Sequence, residues 1–423
     1  MEQLYPREMY LKRIRPFYYE CGLIKVLTGV RRCGKSSIMK LIINELTEKG
    51  VNNNNIFYFN LDKRPYRSIK TADQLDELIA KAVDNVEGTK FIFVDEVQNV
   101  TGFEKVINSF REEEDCSIFI TGSNSYLLSG DLVTKLTGRY IETNINTLSF
   151  YEYIEMKKFY NKKIDTDYEK ELFNYILEGG FPLTIKFDNF DDKRIYVKNI
   201  ILLNQIIRRK EMIDTKKIRN KHLFEQIKTY IINNFGATTS VNSICDYLKK
   251  INGSKPTKNT IYNYLEILEK VKIISKCKRF DLKSKKSLNG DEKYYLTDLS
   301  FYFSLQTDNR INYGPVLENI VFNYSQMCGY TASIGKIGNL EIDFILRNEL
   351  TNDYAYVQVA KTIDNEIYND EGKLVTEERE YAPLEKIKDG YPKYLLTLDK
   401  ILKKRSGVKH CNIIDFIINN EKF

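Results

Sequence analysis

Between Ile24 and Ser37 the chain changes character twice. A largely apolar run from Ile24 to Leu27 breaks at Gly29, and four residues later Gly34-Lys35-Ser36 opens a stretch whose apolar residues Ile38, Met39, Leu41 and Ile42 recur at helical spacing. The order read from this is strand, glycine loop, helix. The pattern G-x-x-x-x-G-K-S is the one a phosphate-binding loop needs. Glycines at 29 and 34 allow a tight turn whose N–H groups face inward, and the helix that begins near Lys35 adds the positive end of its dipole. The residues expected around phosphate are Gly29, Val30, Arg31, Arg32, Cys33, Gly34, Lys35, Ser36 and Ser37. Lys35 is expected to reach the β- and γ-phosphates, and the Ser36 hydroxyl to take one position on Mg²⁺.

Farther along, Lys90-Phe91-Ile92-Phe93-Val94-Asp95-Glu96-Val97 is an apolar strand ending in two acids. Parallel strands open their carboxyl ends on one edge of a sheet, so these acids are expected where the phosphate loop also opens. Asp95 would bind Mg²⁺, directly or through water, and Glu96 would orient and activate the attacking water. A further strand, Ser117 to Thr121, leads into Gly122-Ser123-Asn124-Ser125. This cluster reads equally as a contact to the γ-phosphate or as the cap of a following helix. In Leu136-Thr137-Gly138-Arg139-Tyr140, spacing alone makes Arg139 a surface residue.

Six stretches then fall in a recognisable order: Gly29 to Ser36, Phe93 to Gln98, Ile120 to Ser125, Leu136 to Tyr140, Leu148 to Tyr153 and Gly179 to Pro182. Over nearly its whole length the chain resembles the AAA-type ATPases widespread in bacteria and archaea. The resemblance implies a P-loop domain joined to a helical lid, a winged helix and a nuclease-like C-terminal domain of unknown function. It also implies catalytic roles for Lys35, Glu96 and Arg139, the last as an arginine finger, a sensor role for Ser123 or Asn124, and metal roles for Ser36 and Asp95. Leu148-Ser149-Phe150 and Gly179-Gly180-Phe181-Pro182 are read as a joint and a turn in the lid.

At 423 residues the chain exceeds one ordinary core. The expected fold class is α/β: a P-loop NTPase core with a parallel sheet over 1–150, a helical lid over 151–220, a winged helix over 221–305 and a PD-(D/E)xK-like α/β domain over 306–423. In the winged helix, Lys258, Asn259, Tyr262 and Asn263 would face a major groove, and Lys276, Lys278, Arg279, Lys283, Lys285 and Lys286 would meet phosphates from a two-stranded wing. The last region has an acid on a helix, Glu318, an acid on a strand, Asp343, and Gln358-Val359-Ala360-Lys361 on the next. This is the outline of the PD-(D/E)xK nucleases, where carboxylates hold a metal and a lysine polarises water. Alternation puts Ala360 on the face of Gln358 and Lys361 on the opposite face. Glu318, Asp343 and Gln358 are therefore expected to form a degenerate site that does not cleave.

Composition narrows the alternatives. Only His222 and His410 are present, and seven cysteines lie scattered without a C-x-x-C pair. Histidine-centred catalysis and zinc clusters have little material, and the odd cysteine count suits a reducing compartment. With no apolar run of membrane-span length and no signal-peptide core, a cytoplasmic protein without membrane contact is expected. Lys and Arg outnumber Asp and Glu by 65 to 58, a mild excess that permits DNA contact without requiring it. The function expected is Mg²⁺-dependent ATP binding and hydrolysis driving a conformational switch, with ATP and Mg²⁺ as ligands, DNA as a candidate partner, and a protein partner or homo-oligomer left open. Two alternatives stand beside it: an ATP-gated DNA-binding module with slow hydrolysis, and an ATP-dependent nuclease that would need Lys361 at the metal.

Overall fold

The computed structural model describes residues 3–113, 115–122, 136, 138–201, 218–253, 255–305, 310–348, 351–364 and 375–423, apart from the side chains of 288 and 289. The chain divides into two compact units, residues 1–147 with 270–272, and residues 148–269 with 273–423. Among the described residues no helix is long and apolar enough to cross a membrane.

The first unit is built on five parallel strands: β1 (Ile24–Thr28), β2 (Ile56–Asn60), β3 (Lys90–Asp95), β4 (Cys116–Thr121) and β5 (Tyr140–Asn144). Their order across the sheet is β2-β3-β4-β1-β5. β1 and β4 are buried along their whole length, which is why they read as continuous apolar runs rather than alternating ones. Helices α1 (Glu8–Ile14), α2 (Lys35–Glu48), α3 (Ala72–Val83) and α4 (Phe103–Glu112) belong to this unit. α3 starts at a capping box between Thr71 and Gln74. It then packs Leu75, Ile79 and Val83 into a core shared with Phe103, Ile107 and Phe110 of α4. Since β4 lies between β1 and β3, the strand that carries the glycine loop and the strand that carries the acids are not neighbours. The tip of β4 stands between them.

The second unit begins with helices α5 (Phe150–Phe159), α6 (Tyr168–Glu178) and α7 (Phe190–Ile201). Ser149 and Glu152 form the capping box of α5. Gly180 at the end of this stretch has no room for a side chain, because a Cβ there would strike the carbonyl oxygen of Leu148. Next come α8 (Lys221–Asn233), β6 (Thr238–Thr239), α9 (Val241–Asn252), α10 (Lys258–Lys270), β7 (Ile274–Asp281) and β8 (Lys286–Leu296). The remainder is α11 (Ser300–Leu305), α12 (Tyr313–Met327), β9 (Tyr330–Ile337), β10 (Leu340–Asn348), β11 (Tyr354–Val359), α13 (Val375–Glu385), β12 (Lys393–Thr397), β13 (Lys404–Arg405), β14 (Val408–Asn412) and α14 (Ile413–Ile418).

Strands β6 to β14 form one mixed sheet in the order β13-β14-β12-β11-β10-β9-β7-β8-β6. The hairpin read as a two-stranded wing is therefore continuous with the C-terminal strands. β7 pairs antiparallel with β8 on one edge and parallel with β9 on the other, through Arg279, Phe280 and Asp281 against Ile334, Gly335 and Lys336. An isolated hairpin would leave that second row of N–H and C=O groups open, and β9 closes it. This sheet runs across the boundary expected near residue 305. In β10 the register against β9 shifts between Ile342 and Ile345, the interval that holds Asp343.

Candidate functional site

The loop between β1 and α2 depends on its glycines. Gly29 has φ +141° and Gly34 φ +107°, and a Cβ on Gly29 would collide with the carbonyl oxygen of Ile145 and lie 2.9 Å from the Cys33 sulfur. Cys33 is fully buried beneath the loop. Lys35, in the first turn of α2, is only 5% exposed. Its Nζ donates to the carbonyl oxygens of Gly29 at 3.1 Å and Val30 at 3.3 Å. The ammonium is thus held over its own loop by neutral acceptors, beside Ser36 and Ser37 of the same turn.

Asp95 ends β3 and is fully buried. Its Oδ2 accepts from the Tyr58 hydroxyl at 2.7 Å and the Asn60 amide at 2.6 Å, and its Oδ1 accepts from the Thr121 hydroxyl. Thr121 sits at the tip of β4 and also accepts from the Glu96 main-chain N–H at 2.9 Å. Three neutral donors stabilise a carboxylate without cancelling its charge. Glu96 adopts a left-handed conformation, φ +60°, and its carboxylate accepts from the buried Gln98 amide. The sequence reading missed Tyr58, Asn60 and Thr121. Asn60 and Thr121 left a signal, being polar residues at the carboxyl ends of strands that flank β3.

Not every expected residue joins this group. Ser123 and Asn124 lie outside the described residues. Arg139 precedes β5, where its carbonyl accepts from the N–H of Ile24, so it stands at the entrance of β1 while the phosphate loop leaves from the exit. Five strand residues at about 3.3 Å each separate the two ends by roughly 16 Å. The Arg139 side chain is half exposed and bonds Asn108 at 3.2 Å. It is not brought to the loop of its own chain.

In the second unit Glu318 (α12), Asp343 (β10) and Gln358 (β11) do come together. The Asp343 N–H donates to Gln358 Oε1 at 3.3 Å, Asp343 Oδ2 accepts from the Val359 N–H at 2.8 Å, and the Gln358 amide donates to Glu380 at 2.8 Å. Their lysine is Lys293 of β8, whose Nζ lies 3.0 Å from Glu318, 3.3 Å from Glu341 and 3.8 Å from Asp343. Tyr295 donates to Glu318 at 2.8 Å, and Arg279 pairs with Glu341 at 2.6 Å. Burial would lower the Lys293 ammonium, but Glu318, Asp343 and Glu341 outweigh it and hold it above its ordinary range. Burial, reinforced by Glu318, pushes the Asp343 carboxyl well up. Lys361 is elsewhere, exposed and 4.6 Å over the Tyr313 ring.

Of the residues expected to face DNA, Lys258, Asn259, Tyr262 and Asn263 are exposed on α10, and Lys278, Lys283, Lys285 and Lys286 are exposed on the hairpin. Two others are engaged within the protein: Lys276 pairs with Glu292 at 2.7 Å and Arg279 with Glu341.

A glycine loop at the exit of one parallel strand, with a buried carboxylate at the exit of another, defines a P-loop nucleotide-binding protein. Residues 22–154 match the AAA domain family, and residues 169–310 match a domain of unknown function, DUF8612. A Haemophilus influenzae protein, described as uncharacterized, is 32% identical over 399 residues, covering 92% of each chain. The uncharacterized protein MJ1544 of Methanocaldococcus jannaschii is 32% identical over 335 residues, 77% of this chain and 72% of its own. Among solved structures, the Walker-type ATPase PABY2304 of Pyrococcus abyssi superposes with a TM-score of 0.51 at 16% identity, over 71% of this chain and 96% of that one. The chain belongs to the AAA-type P-loop ATPase family.

Proposed function

We propose that the protein binds Mg·ATP, hydrolyses it, and works as a nucleotide-driven conformational switch in a cytoplasmic setting. The observation that carries this is the electrostatic state of the sheet edge: Lys35 and Asp95 are buried there, and their hydrogen-bond partners are neutral. Charges kept in this way are available to a ligand. Asp95, supported by three neutral donors, and the Ser36 hydroxyl suit a hard cation that takes oxygen ligands. Mg²⁺, when bound, would neutralise charge on the β- and γ-phosphate oxygens.

In this reading Lys35 exchanges the Gly29 and Val30 carbonyls for phosphate oxygens, and the N–H groups of residues 29–37 cradle the phosphates. Glu96, released from Gln98, accepts a proton from the attacking water. Ser123 or Asn124 would report the γ-phosphate, and Arg139 enters only as an arginine offered to the nucleotide of a second copy. The division into a core over 1–150, a lid over 151–220, a winged helix over 221–305 and a nuclease-like region over 306–423 is part of this proposal. Lys35→Ala is expected to abolish tight ATP binding, and Glu96→Gln to bind ATP but turn it over slowly. Normal hydrolysis in both variants would overturn the assignment.

The exposed residues of α10 and the Lys283, Lys285 and Lys286 turn favour DNA as a partner. Charge reversal of those three lysines should then weaken duplex binding and flatten its salt dependence. Hydrolysis that duplex DNA leaves unchanged, with no duplex binding at low salt, would point to a protein partner instead. The nuclease alternative was read as needing Lys361 at the acids; Lys361 packs on Tyr313, and the lysine among the acids is Lys293.

A further inference from the structure

One buried cation near the phosphate loop has no part in the reading above. Arg7 precedes α1 and is 4% exposed. One guanidinium nitrogen, Nη1, donates to the carbonyl oxygens of Cys33 at 3.1 Å and Asn146 at 2.8 Å, and the other, Nη2, to that of Thr147 at 3.3 Å. Its guanidinium carbon lies 4.6 Å from the centre of the Tyr10 ring. The Tyr10 hydroxyl in turn accepts from the Asn146 N–H at 3.1 Å. A flat fork thus clamps the outer side of the phosphate loop to the segment that leaves β5.

The consequence follows from peptide geometry. In a planar trans peptide the C=O and the following N–H point in opposite directions. A donor that grips the Cys33 oxygen from outside therefore aims the Gly34 N–H the other way, toward the concavity in which loop N–H groups meet phosphate. Asn146 and Thr147 anchor the same guanidinium from the far side, next to Ile145, whose carbonyl already leaves no space at Gly29. The loop cannot tilt without breaking charge-assisted hydrogen bonds.

We propose that Arg7 is the positioning residue of the phosphate site: through the Cys33 carbonyl it fixes the Cys33–Gly34 peptide in the orientation that binds nucleotide phosphate. Arg7 does not touch the nucleotide. The proposal rests on the ATP-binding reading, and it predicts a loss of affinity rather than of turnover. A lysine there would keep the charge but not the fork, so it would grip fewer of the three carbonyls at once.

The test compares the full-length protein with Arg7→Gln and Arg7→Lys. Four quantities are measured for each: affinity for a fluorescent ADP analogue, KM and kcat for Mg·ATP, and the thermal midpoint without nucleotide. For Arg7→Gln, nucleotide Kd and KM should rise on the order of tenfold, the scale of one lost hydrogen bond to a charged group, while kcat per folded molecule changes less than threefold. Arg7→Lys should fall between wild type and Arg7→Gln, and it carries the test alone if Arg7→Gln does not fold. Unchanged Kd and KM in a folded variant would overturn the proposal. So would a lowered thermal midpoint with KM and kcat per folded molecule as in wild type, since Arg7 would then be structural only. A wild-type protein that binds neither ADP nor ATP would overturn the ATP reading and this proposal together, an outcome distinct from the other two.

Discussion

The two units hold two buried lysines in opposite ways. Lys35 of the first unit meets main-chain carbonyls, and Asp95 on the same sheet edge meets a tyrosine, an asparagine and a threonine, so neither charge is spent on the other. In the second unit Lys293 lies directly among Glu318, Glu341 and Asp343, with Arg279 closing the far side of Glu341. The contrast shows two ways in which buried charges of the same residue types are kept. Charges supported by neutral dipoles remain free to attract an ion or a phosphate, while charges paired with each other hold strands together and leave little field for a ligand. The acids of the outline are present, and the ammonium of Lys293, not that of Lys361, stands where they converge.

The largest effects should separate the two lysines. Lys293→Ala strands buried carboxylates and is expected to cost about 3–5 kcal/mol of stability. Lys35→Ala frees only carbonyls and should cost roughly 1 kcal/mol, while removing nucleotide binding. Denaturant titration of both variants, with and without ADP, measures this. Equal losses of stability would break the comparison.

A smaller effect should follow at Asp95. Tyr58→Phe deletes one of its three donors, and hydrolysis is expected to fall about tenfold with a stability change of roughly 1 kcal/mol. Steady-state kinetics beside thermal melts would check both. Unaltered turnover would mean that the Tyr58 donor does not position the acid.

The third prediction concerns pH. Burial raises the Asp343 carboxyl well above its ordinary value, so over a range above about pH 4 the folded state keeps a proton that the unfolded chain has released. Its contribution to stability is therefore full below about pH 4 and declines as pH rises toward the folded value, by up to about 1.4 kcal/mol per pH unit. Asp343→Asn should remove that decline. Denaturation midpoints of the two proteins between pH 5 and pH 7 should diverge; parallel curves would mean that Asp343 is ionised and Lys293 is shared more evenly. The smallest effect belongs to Lys361. Its cation–π contact with Tyr313 is exposed, so Lys361→Ala should change stability by only about 0.5–1 kcal/mol and leave plasmid DNA as intact as wild type does.

Much of the first site was legible because it is local. Gly29, Gly34, Lys35 and Ser36 act through one continuous turn, and Asp95 and Glu96 follow an apolar strand whose two-sided burial shows in its composition. Glu318, Asp343 and Gln358 were also legible as a group, because each marks its own helix or strand. The place of Arg139 was not legible, because a glycine turn before a strand looks alike at either end of a sheet, and it is parallel pairing with β1 that puts it at the entrance. The two strands of the wing were legible as a pair, but the cover that β9 gives to the outer edge of β7 was not, because a hairpin's own sequence does not say whether that edge is covered.

What the sequence determined by itself was what neighbouring residues set together: the loop, the acid pair, and the alternation that denies Lys361 the face of Gln358. Tertiary structure alone decided which distant groups meet. Arg7 reaches Cys33 and Thr147, Thr121 reaches Asp95, and Lys293 reaches Glu318 only because segments far apart in the chain lie side by side. The physical reason is that a short turn is specified by the conformations its own residues allow. A charge is neutralised or preserved by whatever the sheet places within about 4 Å of it, and that distance has no period in the sequence.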